Sequence, residues 1–256
     1  MGGIRPNRVK QKLAAGETVL CVAGLDTPDL VDLMGSVGLD AVWIEAEHGP
    51  ADFGRIPDLT RACDLWGITS IVRVNALEYG PIYRTLDLGA QGICVPHIDT
   101  AEHARRVVEA AKFAPIGRRG LYTSRQGYGV PDYLHVANDH TLLIALIEDI
   151  RAVENLDEIL EVDHIDVFFV APSDLASSMG RLGGHDHPEV LETVETTLKR
   201  IMAAGRTAGT TLMANRNAEL YAGMGVPFLT AAIQPWLTAG LADLVRRIAE
   251  AARGVR

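Results

Sequence analysis

Lysine is scarce in this chain of 256 residues: Lys10, Lys12, Lys112 and Lys199 are the only four. None closes a predicted strand, so a Schiff-base mechanism, which needs an amine inside the pocket, has no candidate residue. Cysteine is scarcer still. Cys21, Cys63 and Cys94 stand in apolar surroundings, without the paired spacing of disulfides or structural zinc, and read as buried thiols of a cytoplasmic protein. G-x-G-x-x-G, Walker, H-E-x-x-H and G-x-S-x-G motifs are absent, which leaves cofactor-dependent redox chemistry without support. No apolar run approaches membrane-spanning length, and MGGIRPNRVKQKL lacks the apolar core of a signal peptide. Positive charge is also in deficit. The 24 Lys and Arg against 33 Asp and Glu give a formal net charge of −9, which argues against a nucleic-acid partner, whose phosphates need a basic face. A cytoplasmic protein with neither membrane nor nucleic acid as partner is expected.

What is present is an alternation. Short apolar runs predict strands over Thr18–Ala23, Ala41–Ala46, Ser70–Val74, Gly92–Val95, Leu142–Ile147, Val167–Ala171, Gly209–Met213 and Phe228–Ile233. Helical stripes follow them, such as Ile56, Leu59, Ala62 and Cys63, suited to packing on a sheet. Eight βα units without a composition break predict an α/β fold, a single (β/α)8 TIM barrel domain over 1–256, with an open doubly wound sheet as fallback. One stretch breaks the rhythm. Residues 115–140, with GRRG and three tyrosines, predict a loop longer than a usual βα connection, expected to be functional or partner-contacting, with an idle surface Ω-loop as the alternative.

Catalytic residues of such barrels lie at the C-terminal ends of the strands. Strand two ends in Glu45, Glu47 and His48, strand three in Arg73 and Asn75, and strand four in His97. Strand five contributes Glu148, strand six Asp174, strand seven Asn215 and strand eight Gln234. In DVFFVAPSDLASSMG, Pro172 ends a buried strand, and Ser173 and Asp174 open a helix whose first N–H groups lack partners. A carboxylate beside free N–H groups can hold a divalent metal and a small anion together. With Glu148 closing the preceding strand, the two acids predict one metal site.

Five segments in order, WIEAEHGP, VRVN, LDLGAQGICVPHIDTAEHA, IEDIRAVENLDEIL and FFVAPSDLASSMG, with PIGRRG between the third and fourth, carry a resemblance. Together they resemble the HpcH/HpaI family of class II pyruvate aldolases, of 4-hydroxy-2-oxoheptanedioate or 2-keto-3-deoxy sugar acid type. The likeness extends from about Val9 to the final helix. It implies a phosphoenolpyruvate/pyruvate-type barrel that cleaves a 4-hydroxy-2-oxo acid to pyruvate, or a related 2-oxo acid, and an aldehyde. By the same likeness Glu148 and Asp174 bind a divalent cation (Mg, Mn or Co), His48 is the base and Arg73 stabilises the enolate. Backbone amides at Ser173 and Asp174 receive the substrate carboxylate. Asp87, of LDLGA, matches a residue that supports the histidine near a subunit boundary. A homo-oligomer, a hexamer with exchange of the last helix, is implied as well, and Leu237, Leu241, Leu244 and Ile248 supply an apolar stripe for it. The same stripe would serve a helix that covers its own barrel.

The chain departs from the family pattern in four places. Glu45 replaces an aspartate, Ile147 a glutamine, His97 a small apolar residue and Gln234 an aspartate. Glu45 either orients the His48 imidazole in the aspartate's place or leaves that to Asp87; the first is favoured. Three rivals stand beside the aldolase. An acyl-CoA ester lyase would need a basic groove for the CoA phosphates. An oxaloacetate-decarboxylating enolate enzyme would use the same scaffold, and a catalytically weak metal-binding assembly module would need no turnover. His185-Asp186-His187 has ligand spacing but sits in a Gly-rich loop, where solvated residues are the rule.

Overall fold

Strands buried on both faces read as continuous apolar runs, because helices cover the outer side of a parallel sheet and side chains fill its inner side. The computed structural model describes residues 2–213 and 217–253, and in it the predicted runs form strands. These are β1 (Val19–Ala23), β2 (Ala41–Glu45), β3 (Thr69–Arg73), β4 (Gly92–Val95), β5 (Leu142–Ile147), β6 (Val167–Val170), β7 (Ala208–Leu212) and β8 (Phe228–Ala232). Each pairs in parallel with its sequence neighbours, and β8 closes on β1, so the sheet is a closed (β/α)8 barrel. Asn215 lies outside the described residues.

The period of two sorts side chains into two layers. Trp43, Ile71, Cys94, Ile144, Leu146 and Phe169 fill the lumen, whereas Val42, Val72, Ile93, Leu143 and Phe168 face the helices. The segment 115–140 is only partly the predicted loop. Tyr133–His140 is a helix and Arg125–Gly127 a 3-10 turn. Only Tyr133 and Ala137 of that helix are buried, a pair too sparse to show as a stripe in sequence. Three ties fix the segment to the barrel: Arg119 Nη2 to Asp87 Oδ1 at 2.6 Å, Arg125 Nη1 to Asp64 Oδ2 at 2.6 Å, and Lys112 Nζ to the carbonyl of Asn138 at 2.5 Å.

The last helix, Gln234–Arg253, buries none of its residues. Leu237, Leu241, Leu244, Val245 and Ile248 are all exposed. Beside its first turn the outer face of β1 and β8 is bare, and an apolar cavity of about 650 Å³ opens between Leu20, Val22, Met34, Leu39, Ala231 and Trp236. No described helix is long and apolar enough to cross a membrane.

Candidate active site

Inward parity carries Trp43 to Glu45, Ile71 to Arg73 and Leu146 to Glu148, so three charged groups emerge where the lumen meets solvent. Parallel register sets Glu45 beside Arg73 on the neighbouring strand. The guanidinium takes Glu45 Oε2 with Nε and Nη2, both at 2.7 Å, and its Nη1 lies 3.1 Å from Glu47 Oε2. Trp43 Nε1 donates to the same Glu45 oxygen at 3.2 Å. The other oxygen accepts the main-chain N–H groups of Glu47 (2.8 Å) and His48 (3.1 Å). The chain after β2 therefore folds back over Glu45. At Gly49 a Cβ would stand 2.7 Å from the glutamate side chain, so only glycine fits that return.

Burial pushes the Glu45 carboxyl up, but the Arg73 hydrogen bond and charge, joined by the two main-chain N–H groups, outweigh it and hold the group below its ordinary value. A carboxyl depressed on folding contributes stability that is fully present above its unfolded pKa and is lost as pH falls through the folded value. The wild-type melting temperature should accordingly fall as pH drops below the ordinary carboxyl range. Glu45→Gln should start lower at neutral pH and show a shallower acid slope. Parallel slopes in a calorimetric pH series would remove Glu45 from this role.

The expected bond from Glu45 to the His48 imidazole is not formed. Both carboxylate oxygens are occupied by Arg73, Trp43 and main-chain N–H groups, so Glu45 orients the loop and not the ring. The ring meets Glu47 instead, with Nε2 3.8 Å from Oε2, and is 70% exposed. Nor does Asp87 reach His48 within one chain. It closes the helix Tyr79–Asp87 that descends from the C-terminal end of β3, and its carboxylate is held by Arg119.

Glu148 stands one residue past β5, almost fully buried. Its Oε1 accepts the main-chain N–H of His97 at 2.7 Å, and His97 Nδ1 lies 3.2 Å from the same oxygen. Burial pushes this carboxyl up; the His97 N–H and charge oppose the shift, and the charges of Asp174 and Glu47 add to it. Asp174 lies in the first turn of the helix Pro172–Ser178, which begins without a side-chain cap and so leaves its first N–H groups free.

A divalent cation fits this donor set. The charges of Asp174 and Glu47 both push the Glu148 carboxyl up, a repulsion that a bound cation would relieve. Among the described residues no three His, Cys, Asp or Glu side chains close on one ion, so the protein offers only part of a coordination shell. A cavity of about 410 Å³ opens over the lumen, lined by Glu45, His48, Arg73, Ser173 and Asp174. Trp43 and Phe169 lie below, ring centroids 5.4 Å apart. The rim residues thus do not all meet: Asn75 lines a separate cavity of about 220 Å³ beside Phe53, and Gln234 packs against Gly24. His187 caps a helix by accepting the N–H of Glu189 through Nδ1. Sequence inspection missed Trp43 as a partner of Glu45; its place two residues upstream on the same strand face was the available signal.

The sequence model of the HpcH/HpaI aldolase/citrate lyase family matches residues 18–232. Over 241 residues the chain is 34% identical to a hydroxypyruvate/pyruvate aldolase of Cupriavidus necator, covering 92% of this chain and 90% of that protein. It is 31% identical to a 2-keto-3-deoxy-L-rhamnonate aldolase of Escherichia coli, covering 95% and 93%. A solved HpcH/HpaI aldolase/citrate lyase family protein of Burkholderia cenocepacia superposes with a TM-score of 0.89 at 28% identity, covering 95% of this chain and 99% of that one.

Proposed function

The chain belongs to the HpcH/HpaI aldolase/citrate lyase family, and from that premise we propose that it is a divalent-metal-dependent aldolase for 4-hydroxy-2-oxo acids. The observation that carries this is the single cavity where Arg73, His48 and Asp174 meet beside the buried Glu148. Glu148 and Asp174 would hold the cation (Mg, Mn or Co) and leave positions for water and the substrate. When bound, it supplies Lewis-acid polarisation of the 2-oxo group. The free N–H groups at Ser173 and Asp174 receive the substrate carboxylate. In the cleavage direction His48 takes the proton of the 4-hydroxyl and the C3–C4 bond breaks, releasing the aldehyde. The electron pair passes into the 2-oxo fragment as an enolate, beside which Arg73 sets its charge. Proton return at C3 gives pyruvate or a close 2-oxo acid. The relatives named for hydroxypyruvate, pyruvate and a 2-keto-3-deoxy sugar acid support a small hydroxylated substrate.

The experiment supplies the protein with Mn²⁺ and follows pyruvate release from 4-hydroxy-2-oxo acids through a coupled dehydrogenase, then runs pyruvate and hydroxypyruvate against a panel of aldehydes. Metal-dependent cleavage is expected. Turnover of oxaloacetate or an acyl-CoA ester alone, or no turnover at all, overturns the assignment.

The active unit is inferred to be a homo-oligomer, a hexamer, in which the last helix of one copy covers the β1 and β8 face of another. Support comes from the helix that buries nothing and the apolar cavity beside it. Fully burying one Leu or Ile contributes about 1.5–3 kcal/mol, so covering this stripe with a second copy would favour association. Leu241→Arg with Leu244→Arg should therefore shrink the particle to single chains in light scattering at micromolar concentration. A wild-type protein that is already monomeric there removes the inference.

A further inference from the structure

His97 is one of only two non-glycine residues with positive φ among those described, at +58°. The other, His164, lies in the turn before β6, away from the strand C-termini. A left-handed residue costs free energy that the surroundings must offset, and such residues gather where backbone direction matters to function. Here the consequence is visible. Directly after Val95 and Pro96, the left-handed turn aims the His97 N–H back at Glu148, where it makes the only hydrogen bond to that carboxylate among the described residues. The ring follows. Its Nδ1 lies 3.2 Å from the same Oε1, and Nε2 lies 3.8 Å from Glu47 Oε1. The His103 ring stands behind the turn, its Nδ1 3.1 Å from the His97 carbonyl and 3.3 Å from the Asp99 main-chain nitrogen.

We propose that His97 is a positioning residue for the cation site: its main-chain N–H and its ring together fix Glu148 through Oε1, which leaves Oε2 to bind metal. This rests on Glu148 being a cation ligand, as proposed above. A residue serving only the turn would need its backbone and nothing more. The ring is 70% exposed, yet its inner edge lies 3.2 Å from the buried Glu148 and 3.8 Å from the half-buried Glu47. A buried carboxylate with one partner can swing about its side-chain torsions; a second contact on the same oxygen removes that freedom before metal arrives. Groups that orient metal ligands typically set affinity by 10- to 100-fold.

The test is Mn²⁺ titration of the full chain, with free Mn²⁺ read by electron paramagnetic resonance. His97→Gly keeps the N–H and suits the left-handed backbone but deletes the ring. Its dissociation constant for Mn²⁺ should rise at least about tenfold, with a melting temperature no lower than wild type. His97→Asn also tolerates positive φ and brings a side-chain N–H near the place of Nδ1, so it should restore affinity to within about threefold of wild type by the same reasoning. Wild-type affinity in His97→Gly, or an Asn variant as weak as the Gly one, overturns the proposal. Glu148→Gln in the same titration separates the two levels. If it binds Mn²⁺ like wild type, Glu148 is no ligand and both ideas fall. If it loses Mn²⁺ while His97→Gly does not, only the role of His97 falls.

Discussion

Replacing Glu148 by glutamine, or Asp174 by asparagine, should lower aldol cleavage by about 10³-fold or more and strip the protein of bound divalent metal. Lewis-acid stabilisation of developing charge is worth several kcal/mol, and each 1.36 kcal/mol is tenfold in rate. Glutamine has the shape of Glu148 but no charge, so it keeps the contact with the His97 N–H while offering a cation much less. The two variants differ in a second respect. Burial and the neighbouring carboxylates push the Glu148 carboxyl up, which means that its ionised form is disfavoured in the fold. The stability cost of that ionisation grows as pH rises through the unfolded pKa, and a neutral glutamine does not incur it. Metal-free Glu148→Gln should therefore melt no lower than metal-free wild type at neutral pH, so that the lost rate cannot be ascribed to unfolding. Metal analysis by mass spectrometry beside the pyruvate assay checks both halves. Full metal content with full rate in either variant would falsify the ligand assignment.

Arg73→Met should be nearly as damaging, for two separable reasons. One is the missing charge beside the enolate; removing a single aligned donor of this kind costs about 10²–10³ in rate. The other is structural. Arg73 holds Glu45 with two nitrogens and faces Glu47 with a third, and its own pKa is raised because the Glu45 hydrogen bond and both carboxylate charges outweigh the lowering effect of burial. Losing it leaves two part-buried carboxylates unpaired, which costs about 3 kcal/mol, the lower end for breaking a buried pair. Arg73→Lys does not rescue, because an ammonium cannot present three donors in one plane. Adding Glu45→Gln to Arg73→Met should return part of the stability and none of the rate. If denaturant titration shows the double variant as unstable as the single one, the ion pair is not what Arg73 supplies to the fold.

The barrel was legible because buried parallel strands have to be apolar throughout. VFFV and LLIALI admit little else, and their ends fall within a residue or two of the structural ones. The strand-end acids, the arginine and the histidine were legible for the related reason that polar residues next to such runs reach the barrel mouth. Directions of side chains were not. Whether the Glu45 carboxylate turns to an imidazole or to the chain after it depends on the path of residues 46–49, which no spacing encodes. The helix Tyr133–His140 was hidden by its short apolar face, and the left-handed turn at His97 by the lack of a glycine to mark it.

The three cysteines have a practical side. Cys21, Cys63 and Cys94 are fully buried, and burial pushes each thiol up, to about 12 for Cys63 and well above the ordinary range for the other two. Alkylating reagents attack the thiolate, which such sites scarcely populate. The folded protein should therefore react with maleimides far more slowly than an exposed thiol does. A cysteine placed on the polar face of the Gln234–Arg253 helix, away from the leucine stripe, would carry a dye alone, and a mass shift at the native three would clock every opening of the barrel.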